Sequence, residues 1–334
     1  MRRLIDIAIR HYKEDSKSQF LYRVLRALIA ESVGIQKWLR LKIFWLRYKD
    51  RYVVRNIQGN KMYLSIKDKG ISSSLIGYGF WEPLATKILR ETVSKGDIVV
   101  DIGANMGYFV LQESKLVGET GKVFAIEPVA ENLKLLKKNL GLNQCANVET
   151  FQLAMGDKNE ESSIFLSYKL NCGSMVFRNG LNLVDGAVKK LPVTVMTIDK
   201  FLEDRPTPSL IRMDVEGYEF EIIQGMKNLL AKKCPLKLFI EVHPGYLKKE
   251  KLVDMLDTLK NHGFYCEIAV DRQLDSRSHL LQKIFYYLSD KINEDSINGY
   301  LYRNSDLDDL KKFGSREIYP HVLFTRNGRA VINE

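Results

Sequence analysis

From Ile98 onward, short apolar segments of strand type alternate with segments of helical period, and this rhythm constrains the fold more than any other feature. Strands are expected at Ile98–Ile102, Val123–Glu127, Val148–Leu153, Leu210–Val215, Leu236–Val242, Tyr265–Val270 and His321–Thr325. Helices are expected at Gly107–Val117, Glu131–Leu140, Glu219–Leu230 and Lys248–His262. Alternation of this kind implies an α/β fold, a parallel sheet covered by helices on both faces. Two insertions interrupt it. Met155 to Ser209 carries "SSIFLSY", "GSMVF" and "LPVTVMTI", which read as short β pieces beside the main sheet. Asp271 to Pro320 is polar and rich in loop signals. Upstream, "RYVVRNIQGNKMYLSI" reads as a hairpin turning at Gln58-Gly59-Asn60, and "GFWEPLATKIL" as a helix with Pro83 in its first turn.

In open α/β sheets, ligands sit beyond the carboxyl ends of the strands, where strand order reverses. The loop after the first strand is "DIGANMGYF", Asp101 to Phe109. No Lys-Ser/Thr follows Gly107, so it is not a phosphate-cradling loop, and Gly103-Ala104-Asn105-Met106-Gly107-Tyr108 lacks the GxGxxG register of a dinucleotide fingerprint. Asp101, at the strand's end, would oppose a pyrophosphate and suits a cationic ligand. S-adenosylmethionine is such a ligand: a sulfonium, an α-ammonium and a ribose diol. Gly103 and Gly107 would let backbone approach it. Glu127, followed by Pro128, ends the second strand, where an acid can accept both ribose hydroxyls.

Two further segments bear chemistry. In "LIRMDVEGYEFEIIQGM", Asp214 ends the fourth strand, and Glu216 and Glu219 follow at the next helix start, where acids also suit the helix dipole. In "LFIEVHP", Glu241 and His243 share one face of the fifth strand's end. Asp214, Glu241 and His243 are expected to converge, either as a general-base set with His243 as base, or as three ligands of a divalent ion.

The segments "GFWEP", "GDIVVDIGANMGYF", "VFAIEP", "VTVMTIDKFL", "IRMDVEGYEFEIIQGM" and "FIEVHP" resemble, in this order, the FkbM family of class I S-adenosylmethionine-dependent methyltransferases. The resemblance covers about residues 78 to 245. It implies a Rossmann-like, seven-stranded, mostly parallel sheet whose last strand is antiparallel. It also implies O-methylation of a hydroxyl, on a sugar or glycan or a similar small natural product. By that likeness Asp101, Gly103, Asn105 and Gly107 match the cofactor loop, Glu127 the ribose acid and Asp214 the fourth-strand acid. Tyr108, Pro128 and Ala154 complete the expected cofactor set. Arg212 stands where members often have Lys. Tyr78, Trp81, Glu82 and Glu216 are the expected acceptor contacts.

Three rivals fare worse. A nucleic-acid base methyltransferase would carry Asn/Asp-Pro-Pro-aromatic after the fourth strand, where this chain reads Asp214-Val215-Glu216-Gly217, and its acids would repel phosphates. No nucleic-acid partner is therefore expected. A NAD-linked oxidoreductase lacks its glycine fingerprint. A non-catalytic cofactor-binding protein would be favoured by loss of Asp101 or Glu127, and both are present.

Net charge is +10, and residues 1–50 hold twelve Lys/Arg against five Asp/Glu, so most of the basicity lies in an N-terminal arm. The arm reads as helical. Its "KWLRLKIFWLRYK" stretch suits either a lipid headgroup layer at the inner membrane surface or packing on the catalytic domain with a solvated basic face. The remainder, 51–334, is expected to form one methyltransferase domain. Cys145, Cys172, Cys234 and Cys266 form no CxxC pair and read as free thiols of a reducing compartment. No stretch is apolar enough to span a membrane, and the start is no signal peptide, so the expected location is the cytoplasm.

Overall fold

The structure, a computed structural model, describes residues 52–66, 68, 70–166, 173–175, 189–244, 246–271, 301–305, 307–311 and 320–327. The N-terminal arm and most of the second insertion lie outside the described residues.

In chain order, the elements begin with β1 (Tyr52–Ile57), β2 (Asn60–Ser65), α1 (Ile71–Tyr78), α2 (Pro83–Thr92), β3 (Ile98–Ile102), α3 (Tyr108–Val117), β4 (Lys122–Ile126), α4 (Ala130–Leu142) and β5 (Val148–Phe151). Next come β6 (Ala154–Met155), β7 (Glu160–Leu166), β8 (Gly173–Ser174), β9 (Lys189–Met196), α5 (Ile198–Phe201), β10 (Leu210–Met213), α6 (Glu219–Gln224), α7 (Lys227–Ala231) and β11 (Leu236–Glu241). The chain closes with α8 (Lys249–Asn261), β12 (Tyr265–Asp271), β13 (Leu301–Ser305), α9 (Leu307–Leu310) and β14 (Pro320–Arg326).

The main sheet has the order β13-β12-β14-β11-β10-β3-β4-β5. Strands β11, β10, β3, β4 and β5 run parallel, while β14 is antiparallel to both β11 and β12. This is a Rossmann-like α/β sheet. The expected seven strands are present, and β13 adds an eighth at the edge, contributed by the second insertion. Its sequence is too polar to announce a strand. Val99, Val100, Val123, Ala125, Ile211 and Leu238 are fully buried, as strands covered on both faces must be.

The hairpin turns at Gln58 and Gly59, both with positive φ (51° and 83°), the backbone that a right-twisted two-residue turn requires. Two strands alone are marginal. This pair is held to α4 by Asn139 and Asn143, whose side-chain oxygens accept from Tyr63 N and Lys61 N at 2.7 and 2.8 Å.

Within the described part of the first insertion, β6, β9, β7 and β8 form a separate four-stranded sheet. The helix expected over Glu219–Leu230 is two helices. A side chain at Gly225, between them, would collide with the Gly156 carbonyl, so the chain bends where it touches the small sheet. The third strand stops at Phe151, short of the expected Leu153.

Strand order reverses between β3 and β10, which places the crevice beyond their carboxyl ends.

Candidate active site

The loop after β3 spends its amides on itself and on the end of β4. Gly103 N and Ala104 N both donate to Ile126 O at 3.0 Å, and Gly107 N donates to Ala104 O at 2.9 Å. Asn105 N donates to Glu127 Oε2 and Met106 N to Asn105 Oδ1, each at 2.8 Å. A phosphate site needs outward amides, and these five are taken. Gly103 and Gly107 have φ of 84° and 90°. A Cβ at Gly103 would overlap the Asp214 carbonyl oxygen, and one at Gly107 the Leu136 side chain. The first glycine therefore seats the loop against the end of β10, as well as leaving room above it.

Glu127 is buried and fastens this loop. Its Oε1 accepts from Val129 N at 2.9 Å and Asn132 Nδ2 at 3.3 Å, and its Oε2 accepts from Asn105 N. A carboxylate has about four lone-pair sites, so one remains, on Oε2. The expected two-handed grip on a ribose diol therefore narrows to one oxygen. Burial pushes its pKa up to about 7, against the pull of those donors.

Asp101 meets a cation of the protein itself. It is fully buried, and in register with Arg212 across β3 and β10. Arg212 Nη1 donates to Asp101 Oδ1 at 2.9 Å, and its Nη2 lies 3.3 Å from Asp214 Oδ2. The guanidinium also stacks 3.9 Å from the Phe109 ring centroid. Glu113, equally buried, stands beside Asp101, with its carboxyl well above the usual range through burial and the Asp101 charge. Burial raises Asp101 also, against Arg212. Arg212 pulls against the rise in both. The role of Arg212 was invisible in its sequence position alone; it is the clamp between Asp101 and Asp214.

His243 is buried, and its Nδ1 lies 2.6 Å from Glu219 Oε1, which also accepts from Gly217 N at 3.0 Å. Its Nε2 lies 3.7 Å from both Glu216 Oε2 and Glu241 Oε1, and its ring stacks on Tyr246. Burial alone would lower its pKa; Glu219, Glu241 and Glu216 outweigh that and raise it to about 10. An imidazole so placed holds its proton more tightly than a free one, which weighs against His243 as the expected general base. Glu219, which helix-dipole reasoning alone could account for, is the group that orients this histidine.

Asp214, Glu216 and His243 bring one ligand atom each within 4.8 Å of one another. Glu216, expected as an acceptor contact, thus takes the place expected of Glu241. Glu241 lies directly opposite His321 across β11 and β14, and groups instead with His321 and Glu82. Nothing in the local sequence around His321 signals this; it follows from strand register alone. Asp214 and Glu216 are the open members, with side chains 26% and 22% exposed.

The remaining expected contacts divide. Tyr78 and Trp81 are half-buried, and burial pushes the Tyr78 hydroxyl up to about 12. Glu82 is buried, at φ 41°, with Oε2 3.2 Å from His321 Nε2, so it faces the sheet end more than an open acceptor pocket. Tyr108 is buried too; its hydroxyl accepts from Trp81 N at 3.3 Å and pairs with Thr86 Oγ1 at 3.2 Å, tying down the "GFWEP" segment where a direct cofactor contact was expected. Pro128 is half-buried beside Glu127, and Ala154 is buried in β6, in register with Val195. Glu82, Asn105 and Glu216 all hold left-handed backbone without being glycine, and such strain gathers at functional sites.

Hexuronic acid methyltransferase AglP of Haloferax volcanii is 25% identical over 173 residues, 49% of this chain and 63% of that protein. The chain thus spans less than two thirds of that relative's length. Among solved structures, M. jannaschii TYW2 in complex with AdoMet is similar at a TM-score of 0.40 and 13% identity, covering 83% of this chain and 86% of that one. A SAM-dependent O-methyltransferase from Thermotoga maritima is similar at 0.37 and 14%, covering 83% and 78%. Residues 101–266 match the Methyltransferase FkbM domain, so the chain carries an FkbM methyltransferase domain.

Proposed function

We propose that this methyltransferase moves a methyl group from S-adenosylmethionine to a hydroxyl of a sugar, a glycan or a similar small natural product. The observation that carries the reading is the Asp214–Glu216–His243 set standing at the strand ends, with Gly103 packed on the Asp214 carbonyl. The residues present fit the cofactor. The loop offers close backbone and no phosphate cradle, Glu127 keeps one acceptor site on Oε2, and Asp214 and Glu216 give the crevice an acidic open side. When bound, S-adenosylmethionine supplies an electrophilic methyl on a sulfonium.

An alcohol is a poor nucleophile until its proton is leaving. In this reading the proton passes to a carboxylate of the Asp214–Glu216–His243 set, since His243 holds its own proton tightly. Asp214 and Glu216 are its open members, and Glu219 fixes His243 from behind. Tyr78 and Trp81 form the side against which a sugar ring packs. The likeness to AglP, a hexuronic acid methyltransferase by name, supports a sugar acceptor. The open carboxylates speak against a nucleic-acid substrate, whose phosphates they would repel.

Among the described residues no helix is long and apolar enough to cross a membrane. We place the protein in the cytoplasm, with its basic arm as the part suited to the inner membrane face.

Incubation with isotopically labelled methyl donor tests the reading, with uronic-acid oligosaccharides and transfer RNA offered separately. Label on a sugar oxygen is the expected result. Label on RNA alone, or on a nitrogen, would overturn it.

A further inference from the structure

We propose that Glu82, Glu241 and His321 bind a divalent metal ion of the Mn²⁺ type, at a site beside the methyl-transfer set and separate from it. The three residues come from three distant parts of the chain: the turn before α2, the end of β11 and the start of β14. Each is at most 6% exposed. His321 Nε2 lies 3.2 Å from Glu82 Oε2 and 3.7 Å from Glu241 Oε2, and one ligand atom from each residue falls within 4.8 Å of the others. Nitrogen and oxygen ligands at about 2.1 Å from one ion stand about 3.0–3.4 Å apart, so the His321–Glu82 pair is already at ligand spacing and the His321–Glu241 pair lies a few tenths of an ångström beyond it.

Charge points the same way. Two buried carboxylates meet one imidazole here, so the three side chains together offer a cation more negative than positive charge. The Arg212 charge reaches Glu82, but its guanidinium is held between Asp101 and Asp214. In the neighbouring set Asp214 has that guanidinium, and His243 Nδ1 is already taken by Glu219 at 2.6 Å. One nitrogen with two carboxylates suits Mn²⁺ or Fe²⁺ better than Ca²⁺ or Mg²⁺. Three protein ligands leave coordination positions over. The turn carrying Glu82 also carries Trp81, so those positions adjoin the acceptor side. That last role rests on the proposed acceptor reading; the binding of the ion does not.

The test is direct titration of the full chain with MnCl₂, followed by electron paramagnetic resonance of free Mn²⁺ and by calorimetry, with neither cofactor nor acceptor present. About one tight site per chain is expected. Glu82→Gln and His321→Asn should bind at least about tenfold more weakly, while Glu216→Gln should bind as the native chain does. Absence of a tight site in the native chain overturns the proposal, whatever the variants do. Binding lost in Glu216→Gln but kept in Glu82→Gln overturns it too, by placing the ion on the other set. Methyl transfer to sugar without Mn²⁺ binding would sink this site and leave the proposed function standing. Mn²⁺ binding without sugar methylation would do the reverse.

Discussion

Arg212 shows how one side chain can decide both stability and site shape. It is enclosed by Asp101, Asp214, Glu113 and the Phe109 ring. Removing one partner of a buried ion pair costs about 3–5 kcal/mol, because the other charge stays buried. Arg212→Met should lose stability on that scale in urea unfolding, and Arg212→Lys a smaller part, since an ammonium cannot reach two carboxylates in a fork and stack at once. A fully stable Arg212→Met would mean that Asp101 is protonated already. Glu127 makes a pH-dependent prediction. Its folded pKa, about 7, exceeds its ordinary 4.5. Between these values the unfolded chain has lost the proton while the folded one keeps it, so stability falls as pH rises and is level again above about 7. The slope is about 1.4 kcal/mol per pH unit, up to about 3 kcal/mol across the window. Unfolding midpoints at pH 4.5, 6 and 7.5 should show this for the native chain and a flatter course for Glu127→Gln; parallel curves would mean that Glu127 is ionised throughout.

At the scale of elements, the loop after β3 was readable and the contacts across strands were not. Its two glycines, the acid before it and the acid after β4 lie within a short window, and strands β3, β4 and β11 announce themselves as apolar runs. Asp101 with Arg212, Glu219 with His243 and Glu241 with His321 depend on the register between segments far apart in the chain. Helix periodicity runs straight through Gly225 because the reason for the break lies in the Gly156 carbonyl, about seventy residues earlier. The same logic sorts the glycines by what they touch. Gly103→Ala must both hold φ 84° and push a methyl onto the Asp214 carbonyl, which is backbone and cannot swing aside. It should destabilise the fold, by more than the 1–3 kcal/mol or so of left-handed strain alone. Gly141→Ala, late in α4 with open space around it, should stabilise by about 0.4–1 kcal/mol. Thermal unfolding of both variants separates the two kinds of glycine. Equal effects would remove the close approach as the reason for Gly103.

At the scale of the whole molecule, the candidate chemistry sits where five segments end: the β3 loop, β10, β11, β14 and the turn before α2. No one of them carries a working group by itself. Asp214 is aimed by Arg212 from its own strand, His243 by Glu219 from the next helix, and Glu241 lies between His243 and His321, 3.7 Å from each. Such an arrangement separates binding from turnover. The cofactor side rests on Glu127 and the Gly103 loop, which hold each other through Asn105 N; the acceptor side rests on the histidine and its carboxylates. His243→Ala should therefore lose about 10²–10⁴ in methyl transfer, the range of a proton-handling set that has lost its cation, while calorimetry shows S-adenosylmethionine binding as before. Glu219→Gln keeps the shape but removes the charge 2.6 Å from Nδ1, so it should fall between the two. The reverse pattern, cofactor affinity lost and turnover per bound cofactor kept, would move His243 to the cofactor side. Full turnover in His243→Ala would return this histidine, with Tyr246 stacked on it, to packing.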